Sequence, residues 1–174
     1  HQVGQTNGHH HPREHAADPA KPVRQGLVKG QLNHEQRRQR RDHRVLAVKI
    51  DNTVNSHPQT GVMAADLVYL QEVEWGLSRL VAVYSSRYPR AVGPVRSARV
   101  TDIDLLAQFG RPAFAYAGAN DRLKAELAAA PFYQVSSDLG PKGYWRDADR
   151  AAPWNLFGSP RTLLSRAPKA QRPP

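Results

Sequence analysis

Apolar positions along this chain fall into short runs broken by turn residues rather than into long helical periods. Residues 44–51 are almost continuously apolar and predict a buried first strand running into a polar end, Asp51. Residues 52–61 read as loop, with His57-Pro58 inside it and Gly61 at its end, and residues 62–66 as a short helical turn. Residues 67–74 and 77–85 predict the two strands of a hairpin punctuated by Gly76. Residues 91–99 predict an extended segment bent early by Gly93-Pro94. Thr101 is placed to cap a helix over 102–109, closed by Gly110-Arg111-Pro112. A short apolar strand follows over 113–117. Asn120 caps a second helix, in which Leu123 and Leu127 share a face and which Pro131 ends. Residues 132–136 predict another strand, and Ser159-Pro160 opens a last amphipathic turn through Leu163 and Leu164. Strands, short helices and a hairpin in this order predict an α/β or α+β domain, a mixed sheet with short covering helices, and no internal repeat.

Composition narrows the chemistry. The 174 residues suit one domain, and the lack of cysteine excludes disulfides, thiol nucleophiles, Cys-ligated zinc and iron–sulfur clusters. Nothing approaches a membrane-spanning apolar run. The formal charge of +10 is what a nucleic-acid or anionic-membrane binder carries, but its distribution matters more. Residues 1–44 hold 9 basic and 4 acidic side chains, residues 45–165 hold 13 and 11, and residues 166–174 hold 3 and none. The ends therefore read as a disordered, basic, His-rich head (1–44) and a disordered basic tail (166–174) around a folded domain over 45–165. In the head, His9-His10-His11 with His15 reads either as a transition-metal group or as a flexible polar stretch. Arg37-Arg38-Gln39-Arg40-Arg41 reads as a phosphate grip or a solvated linker, without the aromatics of base readout, so no specific nucleic-acid partner is expected.

Polar residues inside apolar runs carry the candidate chemistry. Strand alternation puts Glu72 and Glu74 on one sheet face. A turn at Gly76-Leu77 would set Glu74 opposite Arg79, and a turn at Trp75-Gly76 would set Glu72 there, giving either a cross-strand ion pair or a ligand site. Gly93-Pro94-Val95-Arg96-Ser97-Ala98-Arg99 is the densest feature, two guanidiniums suited to bidentate recognition of phosphate or carboxylate. Asp102 and Asp104 sit in the next helix's first turn, where they complement the dipole and could pair with either arginine. Asp51, Glu72, Glu74, Asp102 and Asp104 could jointly hold Mg²⁺, although no spacing specifies it. A His-based triad could use only His57, there is no nucleophile elbow, and Gly118 with its neighbours is too little glycine for a phosphate cradle. Trp145-Arg146-Asp147 and Arg150 to Phe157 read as loops whose aromatics either recognise sugars or peptides or fold back over the core.

Several stretches together resemble one family. Lys49-Ile50-Asp51-Asn52, Pro58-Gln59-x-Gly61, Ala65-Asp66-Leu67-Val68-Tyr69, Val73-Glu74-x-Gly76-Leu77-Ser78-Arg79, the Gly93 to Arg99 run and Tyr116-Ala117-Gly118-Ala119-Asn120 are similar to the N-terminal domain of the YerB-like family, domain-of-unknown-function family 3048. The resemblance covers roughly residues 45–164 and implies an extracytoplasmic, membrane-associated, lipid-anchored bacterial protein with a second, smaller domain. This sequence contains no signal-peptide run or lipobox cysteine and is expected to lack both the anchor and that second domain. It carries Trp75 where the family usually has Gly, and Trp154 where His is expected before Asn155. The resemblance adds weight to Asp51, Glu74, Arg79, Arg96, Ser97, Arg99 and Asp102, which fall in family motifs. The expectation is a cell-envelope module in which Arg79, Arg96, Ser97 and Arg99 bind an anionic ligand, a wall-polymer phosphate or a peptide carboxylate. In it Glu74 and Asp102 orient the guanidiniums, and Asp51 closes the site. The alternative is a Mg²⁺-assisted phosphotransferase or hydrolase acting on envelope lipid-linked glycans.

Overall fold

The computed structural model describes residues 43–172, an α+β domain. Its five-stranded mixed sheet runs in the order β2-β3-β1-β4-β5, from β1 (Leu46–Asp51), β2 (Leu67–Glu72), β3 (Ser78–Tyr84), β4 (Ala113–Ala115) and β5 (Tyr133–Gln134). β1 is antiparallel to β3 and parallel to β4, so it sits at the centre and is buried along its whole length. That explains its near-continuous apolar run. Leu46, Val48 and Ile50 pack into one core layer with Tyr84, Val135 and Leu164. Val45 and Ala47 pack into the other with Leu106, Phe114 and Leu127. Three short helices cover the sheet: α1 (Thr101–Ala107), α2 (Asp121–Ala129) and α3 (Pro160–Ser165).

Three expectations change. Val100, not Thr101, precedes the first helical residue of α1, and no side chain caps that helix. Instead Asp102 accepts the Arg99 N–H at 2.7 Å, doing from inside the first turn what a cap does from outside it. The loops expected around Trp145 and Phe157 form a small hairpin, β6 (Tyr144–Arg146) with β7 (Leu156–Gly158). Finally, residues 166–172 are seated on the domain rather than loose. Ala167 and Ala170 are buried, and the Gln171 carbonyl accepts the Val45 N–H at 2.8 Å. Arg166 donates to the carbonyls of Ser136, Gly140 and Lys142. The alanine methyls and these backbone bonds outweigh the local Pro and Lys signal. The head up to residue 42, with its histidine and arginine clusters, lies outside the described residues.

Candidate functional site

Alternation along β1 puts Ala47, Lys49 and Asp51 on one face, the face that α1 covers. Register across the sheet sets Asp51 opposite Arg79 and Arg79 opposite Gln71, so three polar residues form a row across β1, β3 and β2. The hairpin reaches this register through a five-residue turn, 73–77, closed by the Val73 N–H to the Leu77 carbonyl at 2.8 Å. Glu72 therefore faces Ser78, and neither glutamate stands opposite Arg79. A one-residue slip exchanges the faces, which is why both two-residue turns considered from the sequence fail.

The segment 92–99 is locked against this row. It bridges β1 through Ile50 and Val95, and the Arg96 N–H donates to the Lys49 carbonyl at 2.9 Å. Arg96 turns its Nε to within 2.5 Å of Asp51 Oδ2, an ion pair whose alignment is not that of a hydrogen bond. The other Asp51 oxygen accepts from the Thr53 N–H at 2.7 Å and its hydroxyl at 2.6 Å. Arg99 Nε donates to Glu74 Oε2 at 2.8 Å, so the turn glutamate, not a strand neighbour, meets the second guanidinium. Arg79 Nη1 donates to the Ser97 carbonyl at 2.8 Å, so Ser97 contributes its backbone rather than its hydroxyl.

Asp102 does not orient a guanidinium as expected. Its Oδ1 accepts from Lys49 Nζ at 2.6 Å, and both side chains are wholly buried. Lys49 also donates to Gln71 Oε1. The sequence reading missed Lys49 and Gln71. The usable signal was a lysine two residues before Asp51, on the same face of a strand otherwise apolar throughout.

Electrostatics ties these residues into one group. Burial pushes the Arg79 guanidinium down to about 10, with Arg99 and Arg96 adding to the effect and Asp51 and Glu74 opposing it. Burial likewise lowers Lys49, against the pull of Asp102. Glu74 is held below the usual carboxylate range, first by its own backbone N–H and then by Arg99. Asp51, Glu74, Arg79, Arg96 and Arg99 therefore converge, whereas Glu72 and Asp104 join none of these contacts. Among the described residues no three His, Asp or Glu side chains are grouped to hold a metal. Asp51, Glu74 and Asp102 each face a separate cation instead. Around these pairs Arg96 keeps both Nη groups without a partner among the described residues, with its side chain 24% exposed.

Fold and site together define a mixed-sheet α+β domain in which a buried lysine–aspartate pair underlies a cluster of arginines. The chain belongs to the family described as "Protein of unknown function (DUF3048) N-terminal domain", which matches residues 32–172. It is 31% identical over 119 residues to the protein named "Putative lipoprotein YerB" of Bacillus subtilis (strain 168). That match spans 68% of this chain and 36% of the relative. The crystal structure of YerB from Bacillus subtilis superposes with a TM-score of 0.62 at 29% identity, covering 72% of this chain and 43% of that one. The chain thus spans less than half the length of the relative it matches. Among the described residues no helix is long and apolar enough to cross a membrane.

Proposed function

We propose that this domain is an envelope-associated binding module whose Arg79, Arg96 and Arg99 cluster receives an anionic group, a wall-polymer phosphate or a peptide carboxylate. The envelope setting comes from the relative's name as a lipoprotein. The observation that carries the ligand class is Arg96. Asp51 fixes its Nε, and its two Nη groups keep unspent donors at the surface, a fork suited to a planar or tetrahedral oxyanion. Arg99 is aimed by Glu74 through its Nε and spends Nη1 on the Ala98 carbonyl at 3.0 Å, which leaves Nη2 to donate. Four cations, Lys49 included, stand among three carboxylates, leaving one positive charge for a ligand to neutralise.

The test is retention on immobilised poly(glycerol phosphate). Arg96→Ala and Arg99→Ala, each confirmed as folded by its melting transition, are expected to weaken retention about tenfold or more. Retention unchanged in both variants overturns the reading.

A further inference from the structure

A second site lies on the β6–β7 hairpin and is lined by none of the residues of the arginine cluster. An open cleft of about 440 Å³ is lined by His57, Pro58 and Thr60 from the loop after β1 and by Trp145, Asp147, Arg150 and Phe157 from the β6–β7 hairpin and its connection. That volume falls within the range of small-ligand clefts, roughly 300–1,000 Å³. We propose that it binds a neutral saccharide.

The floor is aromatic. Trp145 is 43% exposed, and its ring lies 6.1 Å from that of Phe157 at an interplanar angle of 25°. An indole so exposed and so braced offers a flat apolar surface, which suits the C–H face of a pyranose. The walls are held in place before any ligand arrives. Arg150 lies 5.5 Å over the Phe157 ring and donates to the carbonyls of Ser56 at 2.9 Å, His57 at 3.2 Å and Pro58 at 3.4 Å. Its guanidinium is therefore a tie between the two walls, with its donors committed to backbone rather than to an anion. Trp154 Nε1 donates to the Thr53 hydroxyl at 2.9 Å, which pins the loop between β6 and β7 to the loop after β1. Preorganisation of this kind lowers the ordering cost of binding.

The polar groups left over select the ligand. Asp147 spends Oδ1 on the Asp149 N–H at 3.0 Å and keeps Oδ2 available. A carboxylate acceptor disfavours an anion and favours a hydroxyl donor, while the exposed His57 imidazole and Thr60 hydroxyl can each donate or accept. An aromatic floor with acceptors and amphoteric groups at its rim, and no uncommitted cation, matches the alternating C–H and O–H surface of a sugar.

The experiment is calorimetric titration of the full chain with cellotetraose, maltotetraose and the β-1,4 tetrasaccharide of N-acetylglucosamine, to about 10 mM. At least one is expected to bind saturably. Trp145→Ala and Asp147→Asn should each weaken it about tenfold or more, and Glu126→Gln on α2 should leave it unchanged. Should Trp145→Ala fail to fold, Trp145→Phe and Asp147→Asn carry the test. No saturable heat with any of the three, affinity unaltered in the variants, or Trp145-dependent binding of decaproline alone would overturn the proposal.

Discussion

Lys49 is an ammonium with no exposure in the middle of the central strand, and it is tolerated because Asp102 and Gln71 meet it there. A buried pair of this kind gains little over an apolar pair, yet removing one partner strands the other. Asp102→Ala is therefore expected to destabilise the domain by about 3–5 kcal/mol, read from urea unfolding. The double variant Lys49→Met with Asp102→Leu should recover most of that loss. It should not recover all, because Asp102 Oδ2 also accepts the Arg99 N–H, and an orphaned buried donor costs about 1–3 kcal/mol. pH gives a second readout. Burial holds the folded Lys49 below its ordinary 10.5, so between the lowered value and 10.5 the unfolded chain binds more protons than the folded one. Stability from this site therefore rises with pH through that window. Relative to the double variant, the parent should gain stability on going alkaline, so its lead widens through that window; a lead that narrows instead refutes the assignment.

At the level of elements, the β2–β3 turn carries a local conflict. Trp75 has φ 67° inside it and is 94% exposed, so its side chain packs on nothing that offsets a left-handed backbone. That conformation costs an ordinary residue about 1–2 kcal/mol, while glycine loses about 0.5–1 kcal/mol more backbone entropy on folding. Trp75→Gly should stabilise the domain by about 0.5–1 kcal/mol, seen as a higher melting temperature; a lower one counts against the strain. Glycine is also what the family resemblance places here. The same turn marks where sequence legibility stopped. β1, β3 and the segment 92–99 were readable because they are apolar runs with punctuation, and α2 because Asn120 does cap it, accepting the Arg122 N–H at 3.1 Å. The hairpin register was not readable, since turn length decides it and a slip of one residue moved Arg79 to the face of Gln71 rather than of Glu72. β6 and β7 have three residues each, too few for alternation to register. Of the site, the Asp51, Arg96, Arg99 and Glu74 grouping was legible as charge inside apolar runs. Lys49 was not, because a lone lysine within a strand looks like one pointing to solvent.

Across the whole chain, the structure redraws the charge map. With residues 166–172 seated on the domain, residues 45–172 hold 16 basic and 11 acidic side chains, a net +5 rather than the +2 assigned to 45–165. Part of that excess is committed: Arg166 is spent on three carbonyls and Arg150 on three more. Residues 1–42 add 8 basic and 4 acidic side chains. Two anion affinities with different salt responses follow. Scattered lysines and arginines bind duplex DNA by displacing counterions, each phosphate contact adding about 0.9 to the slope of log affinity against log salt. A fixed fork such as Arg96 makes one or two contacts and has a shallow slope. Deleting residues 1–42 should therefore lower the salt slope for DNA by several units, bounded near 7 if all eight basic residues take part. The shallow retention on poly(glycerol phosphate) that survives the deletion should then fall about tenfold or more on adding Arg96→Ala. Filter binding across a salt series separates the two. A shortened chain that keeps the full slope would place the polyanion surface on the domain itself, and the arginine cluster would then be one part of a diffuse basic face rather than a site.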